Sequence, residues 1–275
     1  MKHDTFGQYP ADSLELPGQA LLTAWGCLPD YRPDLVLVGG LAVRYLTQPS
    51  TDGLPGPVTL DVDFGVSIAA DGGSYPGIRE NLSAQGFKWI KNRFTRQFPT
   101  MELHIDLLTD DDKSDGGTTV MDDGLNVGIF PGISRALASN RKVKVSGKTL
   151  LGNTLTEEIN VAEVGPLLVL KLSAFGGPSG RKAPKDAHDI LYLAENYLGG
   201  TAAAIAGFQE ERRKGNRGFN HAAKCLETHF TKPDGQGPVA CAAFRLNNQH
   251  KEPRYEQAAL RIRQQCVTLA EALLA

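Results

Sequence analysis

No apolar run in this chain approaches membrane-spanning length, and no signal-peptide pattern stands at its N-terminus. A membrane span is therefore not expected. Cysteine is scarce: Cys27, Cys225, Cys241 and Cys266 show no CxxC spacing, so reduced thiols in a cytoplasmic protein are expected. Neither sign of charge dominates, since 29 Lys and Arg face 31 Asp and Glu for a net charge of −2. Residues 1–150 carry 14 basic and 18 acidic groups, and residues 151–275 carry 15 and 13. So mild an asymmetry does not predict nucleic-acid binding, although it is compatible with a local basic patch. The acidic stretch Asp110-Asp111-Asp112-Lys113-Ser114-Asp115-Gly116-Gly117 lacks the hydrophobic residue and terminal Glu of an EF-hand and reads as a solvated loop. What remains is an ordinary globular composition, 41% hydrophobic and 22% charged over 275 residues. That length holds one large domain or two moderate ones, each with a core.

Carboxylates placed within apolar runs are the feature that stands out. Thr59-Leu60-Asp61-Val62-Asp63-Phe64 is strand-like and carries two acids at i and i+2. Side chains alternate across a strand, so Asp61 and Asp63 share one side while Leu60, Val62 and Phe64 take the other. Like charges so placed repel unless a cation sits between them. Asp106, in His104-Ile105-Asp106-Leu107-Leu108, is again flanked by apolar residues. Three carboxylates on neighbouring strands would make an oxygen-rich site suited to magnesium and the phosphates it binds. Upstream, the apolar residues 35–38 close on Gly39-Gly40 ahead of a helix-compatible segment. Missing Cβ atoms there let a phosphate approach the backbone. His104 shares the face of Asp106 two residues earlier; a hydrogen-bond partner beside the acids is its plainer role, with direct chemistry the alternative.

Elsewhere the periodicity predicts a helix over 14–26, a strand over 34–38, a short helix over 42–46 and a strand over 58–68. A loop at Asp71-Gly72-Gly73 precedes a helix from Pro76 to about residue 86. Residues 87–98 read as a hairpin edge whose Lys88, Lys91, Arg93 and Arg96 suit either phosphate contacts or a solubilised edge strand. A further hairpin is expected about Ser146-Gly147. Residues 1–13 read as a loose lead-in. After residue 155 the pattern turns helical: 164–175, with its start placed at Pro166, then 186–198, 202–214, 219–229, a weaker piece over 239–246, and a long terminal helix. His221, Cys225 and His229 recur at i, i+4 and i+8, which fits a helix face better than a soft-metal site. The expected architecture is α+β: a mixed β-sheet with flanking helices over 1–155, then a helical domain over 156–275.

On these motifs, Gly39-Gly40 after a strand, Asp61-x-Asp63, and Asp106 in a later strand, the chain resembles the nucleotidyltransferase superfamily (polymerase beta-like fold). In particular it looks like the AbiEii-type toxin branch of bacterial type IV toxin–antitoxin systems. The segment from Gly40 to Asp61 is longer than is usual there, with the extra residues in a Gly/Pro-rich insertion at 48–57. A second cluster carries the resemblance further. Lys171-Leu172-Ser173-Ala174 is followed by Arg181 and then by Lys185-Asp186-Ala187-His188-Asp189-Ile190.

The resemblance spans roughly residues 35–195 and implies a magnesium-dependent transfer of a nucleoside monophosphate from a nucleoside triphosphate to an acceptor hydroxyl. Asp61, Asp63 and Asp106 would bind metal and carry catalysis. Backbone donors after Gly39 and Gly40 would hold phosphates, and Lys171 and Lys185 would reach the triphosphate. Asp186 and Asp189, on one helix face at i and i+3, suit either metal binding or an interhelical network that holds Lys171 or Arg181. A toxin-like enzyme acting on RNA (a tRNA 3′ end) or on a protein, and paired with a cognate antitoxin, is what the family implies. Two other readings are compatible with the same residues. One is an aminoglycoside-type enzyme with a small-molecule acceptor; the other is a non-catalytic binding protein that keeps the fold.

Overall fold

Leu35–Val38, a run of four buried aliphatic residues, forms strand β1 at the middle of a mixed sheet. Such a run, covered on both faces, suits a central strand. In the computed structural model, which describes residues 3–51, 56–67, 77–120, 124–178, 180–249 and 254–275, the chain divides into two compact units. One comprises Pro10–Tyr45 and Val58–Glu163, the other Met1–Tyr9, Leu46–Pro57 and Val164–Ala275. The boundary expected near residue 155 falls inside a strand.

The first unit is built on the sheet. In chain order its elements are α1 (Leu16–Cys27), β1, α2 (Gly39–Leu46), β2 (Asp61–Val66), α3 (Ile78–Ala84), β3 (Lys88–Ile90), β4 (Arg93–Gln97), β5 (Glu102–Thr109), β6 (Thr118–Val120), β7 (Asn126–Ile129), α4 (Ile133–Ala138), β8 (Asn140–Lys148) and β9 (Thr154–Ala162). The strands run in the order β3-β4-β5-β2-β1-β9-β8, with β7 against the end of β5 and β6 against β7. Strands β2 and β5 are parallel, as are β1 and β9, whereas β1 and β2, β4 and β5, and β8 and β9 are antiparallel. Helix α1 buries Ala20, Leu21, Leu22, Ala24 and Trp25, and the Trp25 ring stacks on Phe64 of β2 with centroids 6.1 Å apart.

Two strands and a helix over residues 118–138 had no counterpart in the periodicity. Asp110, expected only to be solvated, accepts from Gly132 N (2.9 Å) and from Ser134 Oγ (2.7 Å), which ties the acidic stretch to the start of α4. The hairpin expected about Ser146-Gly147 turns instead over 149–153. There Gly152 takes φ +86° and Thr149 Oγ1 accepts from Asn153 N, leaving Gly147 within the ladder. The loop at 71–73, Pro76, and residues 52–55 of the 48–57 insertion lie outside the described residues.

The second unit is helical: α5 (Val164–Gly176), α6 (Pro184–Asn196), α7 (Thr201–Arg213), α8 (Phe219–His229), α9 (Gln236–Arg245) and α10 (Tyr255–Leu274). Helix α5 is apolar all round and packs against α6, α7 and α8. It begins at Val164, two residues before the expected Pro166, because first-turn N–H groups have no helical acceptor and a proline there loses nothing. The N-terminal residues are not a loose lead-in: Phe6 and Tyr9 pack edge-on against Phe244, and Gly7 N donates to Asn247 Oδ1 at 2.6 Å. Cys225 and His229 lie against Gly176 and Phe175. Among the described residues, no helix is long and apolar enough to cross a membrane.

Candidate functional site

Alternation along β2 does what the sequence predicts. Val62 and Phe64 are buried, while Asp61 and Asp63 are half-buried on the opposite face. The neighbouring parallel strand brings the third acid to them: Asp63 pairs in register with Asp106 and Asp61 with His104. Asp106 and His104, two residues apart on β5, share the face of the pair. Three carboxylates thus converge on one patch of sheet in the first unit.

Beside them the chain leaves β1 through Gly39, with φ +70°. A Cβ placed there would fall 1.9 Å from Asp63 Oδ2. Glycine is therefore required twice, by the backbone conformation and by the carboxylate, before any phosphate is considered. Helix α2 starts at this residue, so its first N–H groups open next to Asp63.

A guanidinium lies between the acids. Arg93 donates from Nε to Asp106 Oδ1 (2.9 Å) and from Nη2 to Asp106 Oδ2 (2.6 Å), and Nη2 also reaches Asp61 Oδ1 at 3.1 Å. Its position is set by a two-residue turn, Lys91-Asn92, both with positive φ, which returns β3 into β4. Strand register completes the placement. Phe94 pairs with Ile105, so one step outward sets Arg93 opposite Asp106. The sequence singled out Arg93 only as one of four hairpin cations; its acidic partners are a non-local consequence of the β4–β5 pairing.

Electrostatics reflect the crowding. Burial, then the Asp63 and Asp61 carboxylates, push the Asp106 carboxyl up to about 7 against the lowering influence of Arg93. Burial alone would lower Arg93, but Asp61, Asp106 and Asp63 outweigh it and raise the guanidinium. His104 is held below the usual imidazole range by burial and then by Arg93. Its Nε2 lies 3.2 Å from Glu102 Oε1 and its Nδ1 3.2 Å from Thr95 Oγ1. A carboxylate only accepts, so the neutral ring carries its proton on Nε2 and accepts from Thr95. These two partners of the ring lie outside the Asp61, Asp63 and Asp106 set.

Would these residues suit magnesium? Among the described residues, no group of three or more His, Cys, Asp or Glu side chains stands in a geometry that holds a metal ion. The donors are nevertheless of the right kind, hard oxygens only, on adjacent strands and beside a backbone that carries no Cβ. A cation at these oxygens would have to displace the guanidinium that now spans Asp61 and Asp106.

Lys171 and Lys185 belong to the helical unit. Both ammonium groups lie 2.6 Å from Asp189 Oδ2, and Lys171 is also 3.8 Å from Asp186 Oδ1. All four residues are buried. Arg181 reaches Asp186 at 3.4 Å, and Arg245 Nε donates to His188 Nδ1 at 3.1 Å. Here both lysines sit in an ion-pair network that links α5 and α6, one of the two arrangements anticipated for Asp186 and Asp189. Burial explains it, since an ammonium within an apolar helix needs a carboxylate at contact distance.

No protein-family model matches this chain, and neither does any curated protein.

Proposed function

We propose that the chain is a divalent-metal-dependent nucleotidyltransferase that moves a nucleoside monophosphate from a nucleoside triphosphate to an acceptor hydroxyl. The observation that carries this reading is the register pairing of Asp63 with Asp106, with Asp61 on the same face. Nothing in sheet packing calls for three carboxylates on apolar strands. Asp61, Asp63 and Asp106 would hold magnesium, which supplies charge neutralisation for the triphosphate. In the transfer the acceptor oxygen bonds to the α-phosphorus as the bond from that phosphorus to the bridging oxygen breaks. Pyrophosphate leaves with the electron pair, and the hydroxyl proton passes to the Asp106 carboxylate and on to water. The N–H groups that open α2 at Gly39 and Gly40 face the charge that gathers on the leaving pyrophosphate.

The acceptor favoured is RNA, with exposed Lys88 and Lys91 on the β3–β4 hairpin, just ahead of Arg93, as phosphate contacts. The toxin-like role beside an antitoxin, with a tRNA 3′ end as acceptor, rests on the family resemblance alone. A second reading draws on one specific observation. Arg93 clasps Asp61 and Asp106, as it would in a non-catalytic binding protein whose old site is shut by an internal ion pair.

Transfer assays separate the two. The protein is incubated with magnesium and each α-labelled nucleoside triphosphate, adding total RNA, a protein lysate or an aminoglycoside in turn. Label should enter the RNA arm with wild type and fall by about 100-fold or more with Asp63→Ala. Label in the protein or aminoglycoside arm would reassign the acceptor. Label in no arm favours the binding protein.

A further inference from the structure

Three carboxylates gather negative charge in one patch of the sheet. Arg93 meets that charge with a bidentate grip on Asp106 and a third contact to Asp61. Its backbone is fixed by the Lys91-Asn92 turn and by the β4–β5 ladder. The side chain itself is 29% exposed. A fixed backbone with a partly exposed guanidinium suits a group that changes partners.

We infer that Arg93 is a positioning residue of the carboxylate site: it serves as an internal counter-cation that keeps Asp61 and Asp106 converged and gives up Asp106 when a divalent cation binds. This rests on the reading of the three acids as a cation site. Without Arg93, like charges on β2 and β5 would repel at contact distance across a parallel ladder. With it, the strands hold their register before any cation arrives. The same grip opposes the metal, because a divalent ion and the guanidinium compete for the same oxygens. Removing Arg93 therefore has two opposed consequences, a weaker metal-free protein and a tighter metal site. A residue that merely braced the sheet would produce only the first.

The test compares wild type, Arg93→Gln and Arg93→Lys as full chains, with Asp63→Asn as the metal-site control. Mn2+ binding is followed by calorimetry and melting temperature with chelator or with saturating Mn2+. Arg93→Gln should bind Mn2+ about tenfold more tightly than wild type, and Arg93→Lys should fall between them. In chelator Arg93→Gln should melt below wild type, and saturating Mn2+ should close that gap. Equal Mn2+ affinities with a gap that persists would overturn the inference and leave the cation site standing. If wild type, Arg93→Gln and Asp63→Asn all fail to bind Mn2+, the reading of the site falls and this inference with it. Should Arg93→Gln not fold, the ranking of Arg93→Lys against wild type decides in the same way.

Discussion

In the sheet unit two of three clustered aspartates, Asp61 and Asp106, share one arginine on a half-exposed face of β2 and β5. In the helical unit Asp186 and Asp189 share two lysines in full burial, with Arg181 at the rim. The residue types are the same and the charge balance is not. The helical cluster closes its own account: Lys171 and Lys185 meet on one oxygen of Asp189, and burial depends on both signs being present. In the sheet cluster the aspartates outnumber the arginine three to one, beside a glycine whose Cβ would clash with Asp63. A surplus of one sign, partly open to solvent, invites an external cation; a matched, dry set stabilises a fold.

Removing a carboxylate from each cluster probes that contrast most strongly. Asp189→Ala leaves two buried ammonium groups facing each other, and chemical denaturation should show a loss of about 3–5 kcal/mol. The matching change in the sheet, Asp63→Ala, relieves repulsion and should alter stability by no more than about 1 kcal/mol while transfer collapses. If the two losses of stability were similar, the clusters would not differ in kind.

A smaller effect follows from His188, stacked on Phe244 with centroids 5.0 Å apart. Burial, then Arg245, hold its imidazole at about 3, well below the ordinary 6.5, with Asp189 acting in the opposite direction and Lys185 and Lys171 adding to the lowering. The unfolded chain therefore takes up a proton at His188 that the folded one refuses. Stability should be fully present above about pH 6.5 and fall by about 1 kcal/mol per unit as pH drops from there toward 3. His188→Gln, whose side-chain oxygen can still accept from Arg245, should flatten the slope of denaturation midpoint against pH between about 6.5 and 5. An unchanged slope would place the proton uptake elsewhere.

Much of the sheet was legible because its signals are local. Period-two burial sorted Asp61 and Asp63 from Val62 and Phe64, the Gly pair marked the exit from β1, and the runs of 164–175 and 219–229 announced α5 and α8. Register was not legible. Whether Asp106 faces Asp63, and whether Arg93 faces Asp106, depends on how β5 slides between β2 and β4, and a shift of one residue would turn every side chain over. The partners of the lysines were hidden for a related reason. Lys171 needs a partner in so apolar a helix, but only the packing of α5 on α6 shows that it is Asp189, which Lys185 also reaches within α6. Residues 118–138 stayed silent because their strands are three and four residues long and their helix six, too short for periodicity to register.

The shared-cation claim is tested most directly by a crystal structure grown with Mn2+ and read by anomalous scattering at the junction of β2 and β5. The expected result is a peak with oxygen contacts of roughly 2.0–2.6 Å from at least two of Asp61, Asp63 and Asp106, with Arg93 turned away from Asp106. Crystals at saturating Mn2+ with no peak there, and with Arg93 still spanning Asp61 and Asp106, would contradict it.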